Sequence, residues 1–294
     1  MNTIQEQLAA LKTEPLGLRV AIANPDQSSV EMVAELTETG LLKPIFVGQR
    51  AIIELLLEQN SFCHDCEIVE SEQVELAVCS LYLKRQADLI MKGNVHTDDL
   101  LRAVIRSGLT IKERRISHLY MFSFPDREPI FITDPSINIE PDLKIKAGLI
   151  ENAVEALHIL GYAQPRIAVL SSIEFVNSDL PSSVAAKELA EQFANRNDCL
   201  VAGPLALDTA VSPTAAQKKQ LTDGVAGRAD VLLVPNLDAG NILSKGLVYL
   251  AQAEAAGLLV GVKCPIVFSS RSASATERMQ TLLLTCLYWK RINM

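Results

Sequence analysis

The segments VLLVPNLDAGNILSKG (Val231–Gly246) and CPIVFSSRSAS (Cys264–Ser274) decide the fold. In each, a short aliphatic run, Val231–Val234 or Ile266–Phe268, stops abruptly in small and polar residues. A short apolar run bounded by turn signals suits a fully buried parallel strand. Ligands of open α/β sheets bind outside the carboxyl ends of such strands. Here those ends carry Asn236, Asp238, Gly240 and Asn241 in one segment, and Ser269, Ser270, Arg271 and Ser272 in the other. An arginine among serines, past a strand and before a helix, is suited to a phosphate.

Outward from these segments, strand and helix patterns alternate. Leu18–Asn24, Lys43–Val47, Cys66–Val69, Ala87–Met91, Arg166–Leu170, Leu200–Ala202 and Leu258–Val262 read as further strands. Amphipathic helical stretches separate them, which predicts right-handed βαβ units and a parallel sheet. Ser28 and Glu31 form a capping-box signature, and Gly40 closes that helix. Thr97 is placed to cap a helix with Asp98 and Asp99 in its first turn. A long helix is expected from about Leu143 to Leu160, stopped by Gly161, and a last one from about Ala275 to Lys290. Between them, ITDPSINIEPD (Ile132–Asp142) reads as a crossover. No internal repeat is evident. The expected domains are residues 1–136 with 270–294, and residues 137–269.

The 294 residues suffice for two modest domains. Aliphatic residues abound and aromatics are only 5%, which favours an α/β protein. The net charge of −8 argues against nucleic-acid binding, so an anionic substrate must meet locally placed cations. No run approaches the roughly 18 apolar residues of a membrane span, and no signal peptide is evident. A cytoplasmic protein is expected. Six scattered cysteines are expected to be reduced. Cys63-His64-Asp65-Cys66 has metal-like spacing but no second pair to complete four ligands.

Absent motifs narrow the chemistry. No G-x-G-x-x-G, P-loop or G-x-S-x-G elbow occurs. Transfer of an already activated acyl group by positioning and charge stabilisation fits these gaps. Arg271 offers a bidentate fork at a helix start, where a cation without an anionic partner is disfavoured. Ser270 could donate to a carbonyl becoming an oxyanion, although turn chemistry also explains a serine there. Glu277 suits proton handling, but Ser274-Ala275-Thr276-Glu277 is also a capping box. Lys92 ends a strand before Gly93 and could meet a phosphate. His96 reads as a loop or capping residue. Gly240 allows close backbone approach, and Asn241 is expected to cap the helix that follows.

These segments, taken in order, resemble the phosphate acetyltransferase and phosphate butyryltransferase family over nearly the whole chain. LRVAIANP (Leu18–Pro25), GLLKPIFVG (Gly40–Gly48), ADLIMKGNVHTDDLLRAV (Ala87–Val104), RIAVLSSIEFVNSDLPSS (Arg166–Ser183) and GPLALDTAVS (Gly203–Ser212) precede the two opening segments. The middle segments are closer in style to the butyryl branch.

The resemblance implies two three-layer α/β domains with mostly parallel sheets and an interdomain cleft, similar to isocitrate and isopropylmalate dehydrogenases. It implies catalytic and phosphate-binding roles for Ser270 and Arg271, and a role for Glu277 with the coenzyme A thiol. Arg102 is implied as a contact to phosphate or coenzyme A. Asn236, Asp238, Gly240, Asn241 and Asp208 are implied to line the cleft. The substrates implied are a short acyl-coenzyme A thioester and inorganic phosphate, with no permanently bound cofactor or metal. The chain departs from the family where many members carry an acid in place of Asn236, and where the butyryl branch carries an aspartate in place of Ala273. A homo-oligomer, a dimer or larger, is expected. Two other readings are a metal- and NAD-dependent dehydrogenase on a related fold, and a catalytically weak binding or regulatory member.

Overall fold

The computed structural model describes residues 3–125, 127–270 and 273–294. The chain divides into two compact units, Met1–Lys112 with Ala256–Met294, and Glu113–Ala255.

The first unit begins with helix α1 (Ile4–Leu11), whose Thr3 and Glu6 form a complete capping box. Then β1 (Leu18–Ala23), α2 (Gln27–Glu38), β2 (Leu42–Gly48), α3 (Arg50–Gln59), β3 (Glu67–Glu70), α4 (Val74–Leu83), β4 (Leu89–Lys92) and α5 (Thr97–Arg106) alternate. The second unit holds β5 (Ser117–Phe124), β6 (Arg127–Thr133), α6 (Leu143–Ile159), β7 (Arg166–Leu170), α7 (Pro181–Phe193), β8 (Leu200–Leu205), α8 (Leu207–Val211), α9 (Pro213–Lys218), β9 (Val231–Leu233) and α10 (Leu237–Tyr249). Strand β10 (Glu254–Val260) carries the chain back to the first unit, which ends with β11 (Ile266–Val267) and α11 (Ala275–Asn293).

The first sheet is parallel, in the order β11-β4-β1-β2-β3. Its strands are aliphatic because both faces are covered. Val20, Ala21, Ile22, Leu89 and Ile90 are fully buried. The chain runs from β1 outward to β3, then returns to lay β4 on the other side of β1. That reversal puts the crossover helices on opposite faces. Accordingly α1 and α2 pack with α11, while α4 packs with α5. The reversal also opens a crevice at the carboxyl ends of β1 and β4, the position where such sheets take ligands.

In the second unit the strands follow the order β5-β6-β9-β7-β8. Strands β6, β9, β7 and β8 are parallel, and β5 pairs antiparallel to β6. Here too the chain goes from β7 outward to β8 and returns with β9 on the other side of β7. The hairpin β5–β6 corrects the expected boundaries. The units change at 112/113 and 255/256, not at 136/137 and 269/270. The physical reason is the pairing of β6 with β9, Phe131 opposite Val231, which ties the hairpin to the second sheet before the prolines of the crossover are reached.

Several caps also differ from expectation. Helix α2 is capped by Asp26 in a box with Ser29, rather than by Ser28 with Glu31. The N-cap of α5 is His96, without a side-chain bond, and Thr97 is the first helical residue. Gly40 and Gly161 do follow the ends of α2 and α6, at φ +79° and +98°.

Candidate active site

At the crevice of the first unit, the ends of β1 and β4 approach more closely than side chains would allow. The N–H of Gly93 donates to the Ala23 carbonyl at 3.1 Å, and that of Asn94 to the Asn24 carbonyl at 2.7 Å. A Cβ on Gly93 would lie 2.5 Å from the Ala23 oxygen and 2.6 Å from the Asn24 oxygen, so glycine is required there. Asn24, at φ +50°, turns the chain away and donates from Nδ2 to the Asn94 carbonyl at 3.0 Å.

This clamp forms the floor of a recess of about 30 Å³. It is lined by Asp26 and Ser29 of the α2 start, by Lys92, Gly93 and Asn94 after β4, by Ser269 and Ser270 after β11, and by Arg278 of α11, with Met32 and Met91 as apolar wall. The volume suits a compact ion or a pair of waters. Strand pairing brings Lys92 and Ser270 together although 178 residues of sequence separate them, since β11 lies beside β4 with Ile266 opposite Ile90. Lys92 is only 9% exposed, and its Nζ lies 3.5 Å from the Gly93 carbonyl. Ser270 is exposed, and its carbonyl accepts from the Ala273 N–H at 3.2 Å. Arg271 and Ser272 lie outside the described residues.

Two charged recess residues escaped the sequence reading, Asp26 and Arg278. Asp26 accepts from the Ser29 N–H at 2.8 Å and from the Ser28 hydroxyl at 2.9 Å. Burial pushes its carboxyl up, but the bonds from Ser29 and Ser28 and the charge of Arg278 outweigh this and hold it below its ordinary value. The Arg278 guanidinium lies 4.0 Å from Asp26, donates to the Ser28 hydroxyl, and donates from Nε to the Ala273 carbonyl at 3.3 Å. The signal for Arg278 was present: it is a cation in the opening turns of a helix, the mismatch that singled out Arg271.

Glu277 is half-buried at the third position of α11, and its N–H donates to Ser274 Oγ at 3.1 Å. The capping reading of Ser274 thus holds for the backbone. Arg102 is 62% exposed on α5, pairs with Asp99 at 3.4 Å, and does not line the recess.

The remaining candidates lie in the second unit. Asn236, not Asn241, caps α10. Its side chain accepts from the Ala239 N–H at 3.0 Å and donates to Glu140 at 3.0 Å. Asn241 sits inside the helix, 3.4 Å from the Pro135 carbonyl. A cap needs extended backbone before the first helical residue, and Asn236 supplies it at φ −156°, ψ 176°. A Cβ on Gly240 would lie 2.9 Å from Pro135 Cα and 2.8 Å from a Val234 methyl, as its close approach demands. Asp238 is exposed in the first turn. Asp208, on α8, faces Lys219 at 3.7 Å.

Beside Gly240 lies a buried knot, within the segment that the sequence reads as a crossover. Asp134 accepts from the N–H groups of Ser136, Ile137 and Asn138 at 2.9–3.2 Å, and from Asn138 Nδ2 at 2.5 Å. Burial nevertheless pushes its carboxyl above the ordinary value. The knot rigidifies the turn after β6. Among the described residues, no cluster of three His, Cys, Asp or Glu is arranged to hold a metal ion.

A family model described as phosphate acetyl/butaryl transferase matches residues 67–286. A phosphate acetyltransferase of Rhizobium meliloti is 35% identical over 293 residues, covering 97% of this chain and 92% of that protein. A phosphate butyryltransferase of Clostridium beijerinckii is 34% identical over 296 residues, covering 97% of both. The crystal structure of a branched-chain phosphotransacylase from Enterococcus faecalis superposes with a TM-score of 0.82 at 30% identity, covering 92% of this chain and 99% of that one. These likenesses, spanning both units, favour an acyltransferase over a dehydrogenase on a related fold. With 220 of its 294 residues inside the family model, the chain belongs to the phosphate acetyl/butyryltransferase family.

Proposed function

We propose that this chain transfers a short acyl group between coenzyme A and inorganic phosphate within one ternary complex, taking butyryl and propionyl groups ahead of acetyl. The observation that carries the reading is the recess where Lys92, Ser270 and Arg278 meet at the carboxyl ends of β4, β11 and β1. It is small, cation-lined and placed at a topological switch point, as a phosphate site should be.

In the forward direction a phosphate oxygen attacks the thioester carbonyl carbon. Lys92 supplies a point charge, and the Arg271 fork orients two phosphate oxygens. The Ser270 hydroxyl donates to the carbonyl oxygen as it gains charge. The C–S bond then breaks, leaving acyl phosphate and a coenzyme A thiolate. Glu277 handles the thiol proton, passing the proton of the attacking phosphate to the thiolate here and returning the thiol's proton to phosphate in reverse, since a free thiol titrates near roughly 8.5. Contacts of Arg102, Asp208, Asn236, Asp238, Gly240 and Asn241 to acyl-coenzyme A rest on the family alone.

The protein is further proposed to work in the cytoplasm as a homo-oligomer. Ile242, Tyr249 and Leu250, each at least 67% exposed on or just after α10, favour association. Among the described residues no helix is long and apolar enough to cross a membrane.

Thiol release from acetyl-, propionyl- and butyryl-coenzyme A, with and without phosphate or arsenate, tests the reading. Release is expected only with the oxyanion present. In the same assay Arg271→Lys should raise the phosphate KM about tenfold to a hundredfold, matching roughly 1.5–3 kcal/mol for charged hydrogen bonds. Phosphate-independent release would reject the proposal.

A further inference from the structure

A carboxylate in a phosphate recess is a contradiction that the structure must resolve. The charged side chains lining the recess, among the described residues, are Asp26, Lys92 and Arg278. Asp26 cannot be dispensed with as a shape, because it caps α2. Its charge, however, opposes an anion bound beside it. With Arg278 the three groups sum to one positive charge. Without Arg278 they sum to zero.

Arg278 is fixed for this task. Its side chain is 20% exposed, within 4.0 Å of Asp26. One guanidinium nitrogen donates to Ser28, whose hydroxyl donates on to Asp26 at 2.9 Å. Nε donates to the carbonyl of Ala273, three residues beyond Ser270. The cation is thus tied to the α2 start on one side and to the segment following β11 on the other. Its place in the opening turns of α11 runs against the helix dipole, so an acidic partner is what makes the position favourable.

We propose that Arg278 is a positioning residue that neutralises Asp26, so that this carboxylate does not oppose the substrate phosphate. The inference rests on the phosphate-binding reading of the recess, and it assigns the specific electrostatic device that makes the recess attractive to an anion.

A charge-rescue cycle tests it. Asparagine caps a helix about as well as aspartate, so Asp26→Asn removes the carboxylate charge and keeps the cap. The four proteins are the parent, Arg278→Gln, Asp26→Asn and the double variant. Two readouts are used for each: the phosphate KM in thiol release, and the rise in Tm on titration with inorganic phosphate. Arg278→Gln should raise the phosphate KM at least tenfold, change the acyl-coenzyme A KM much less, and abolish most of the phosphate-induced Tm rise. Adding Asp26→Asn should bring the phosphate KM back to within about threefold of the parent. A merely structural arginine would not be rescued by a second lesion. A double variant as weak as Arg278→Gln would overturn the proposal, as would an unchanged phosphate KM in Arg278→Gln. If the parent shows no phosphate-dependent turnover but its phosphate-induced Tm rise is lost and restored through the cycle, the device stands and the transferase reading falls.

Discussion

Arg19 grips Asp88 across β1 and β4, and Arg166 grips Asp230 across β7 and β9. The bonds are the same in both units. The arginine N–H and Nε donate to one carboxylate oxygen at 2.8–3.0 Å, and a terminal nitrogen donates to the other at 2.6–2.8 Å. Each pair joins the two strands between which the strand order reverses. At the amino ends of these strands, therefore, the units share one staple, although the sequence shows no repeat. At the carboxyl ends they diverge. The first unit presents Lys92, Ser270 and Arg278 to a recess. In the second, Asp134 is enclosed by three backbone N–H groups, and Asn236 is occupied by its cap and by Glu140. A shared topology fixes where a site can lie. Which end becomes a site depends on the residues placed there.

The sharpest break in this comparison should come from Glu277. Glutamine keeps the backbone cap of α11 but has no titratable group, so Glu277→Gln should melt like the parent. Its turnover should fall roughly a hundredfold to ten-thousandfold. The loss should shrink at high pH, where the thiol ionises unaided. Near-normal activity at neutral pH would make Glu277 a capping residue only.

Ser270→Ala comes next. Removing one donor to a developing oxyanion lowers kcat by roughly a hundredfold to a thousandfold, with phosphate KM nearly unchanged. Rates within a few fold of the parent would leave Ser270 as a turn residue.

Gly93→Ala and Gly240→Ala compare the two strand-end clusters directly. Each places a methyl against backbone, and overpacking costs typically about 1–3 kcal/mol. Both variants should lower Tm. Only Gly93→Ala, which pries apart the floor of the recess, should also raise the phosphate KM. Equal effects on phosphate KM would erase the distinction drawn between the units.

The smallest effect belongs to His118. It is 5% exposed, with Nδ1 2.9 Å from the Ser136 hydroxyl, and burial lowers its pKa to about 4 from an ordinary 6.5. Above pH 6.5 the ring is neutral in both the folded and unfolded states. Between 6.5 and 4 the unfolded chain binds a proton that the folded one excludes. Stability should therefore fall by about 1 kcal/mol per pH unit as pH drops through that window. His118→Gln should flatten this part of the Tm–pH curve, and an unchanged slope would assign the acid sensitivity to other groups.

Much of the framework was legible in the sequence. Strand Arg166–Leu170 was placed to the residue and the other expected strands to within a few residues, because a buried parallel strand needs a run of aliphatics and ends where small polar residues begin. Gly40 and Gly161 marked helix ends, because a positive φ after a helix favours glycine. Ser270 stood out because it follows such a strand. These are local properties, written within a few neighbouring residues. Choices between near neighbours were less legible. Ser28 and Asp26, or Asn241 and Asn236, are all good caps by type, and only backbone conformation selects one. The hairpin β5–β6 was missed although its own pairing is local, and its place in the second sheet is decided by a distant partner, Val231 opposite Phe131. The recess was least visible of all. Asp26 and Arg278 lie 252 residues apart in sequence. Their meeting, and the net charge it leaves beside Lys92, follow from the order β11-β4-β1 and from α11 packing on α2. No local pattern encodes that adjacency, because hydrophobic periodicity fixes which face of a helix is buried but not which neighbour covers it.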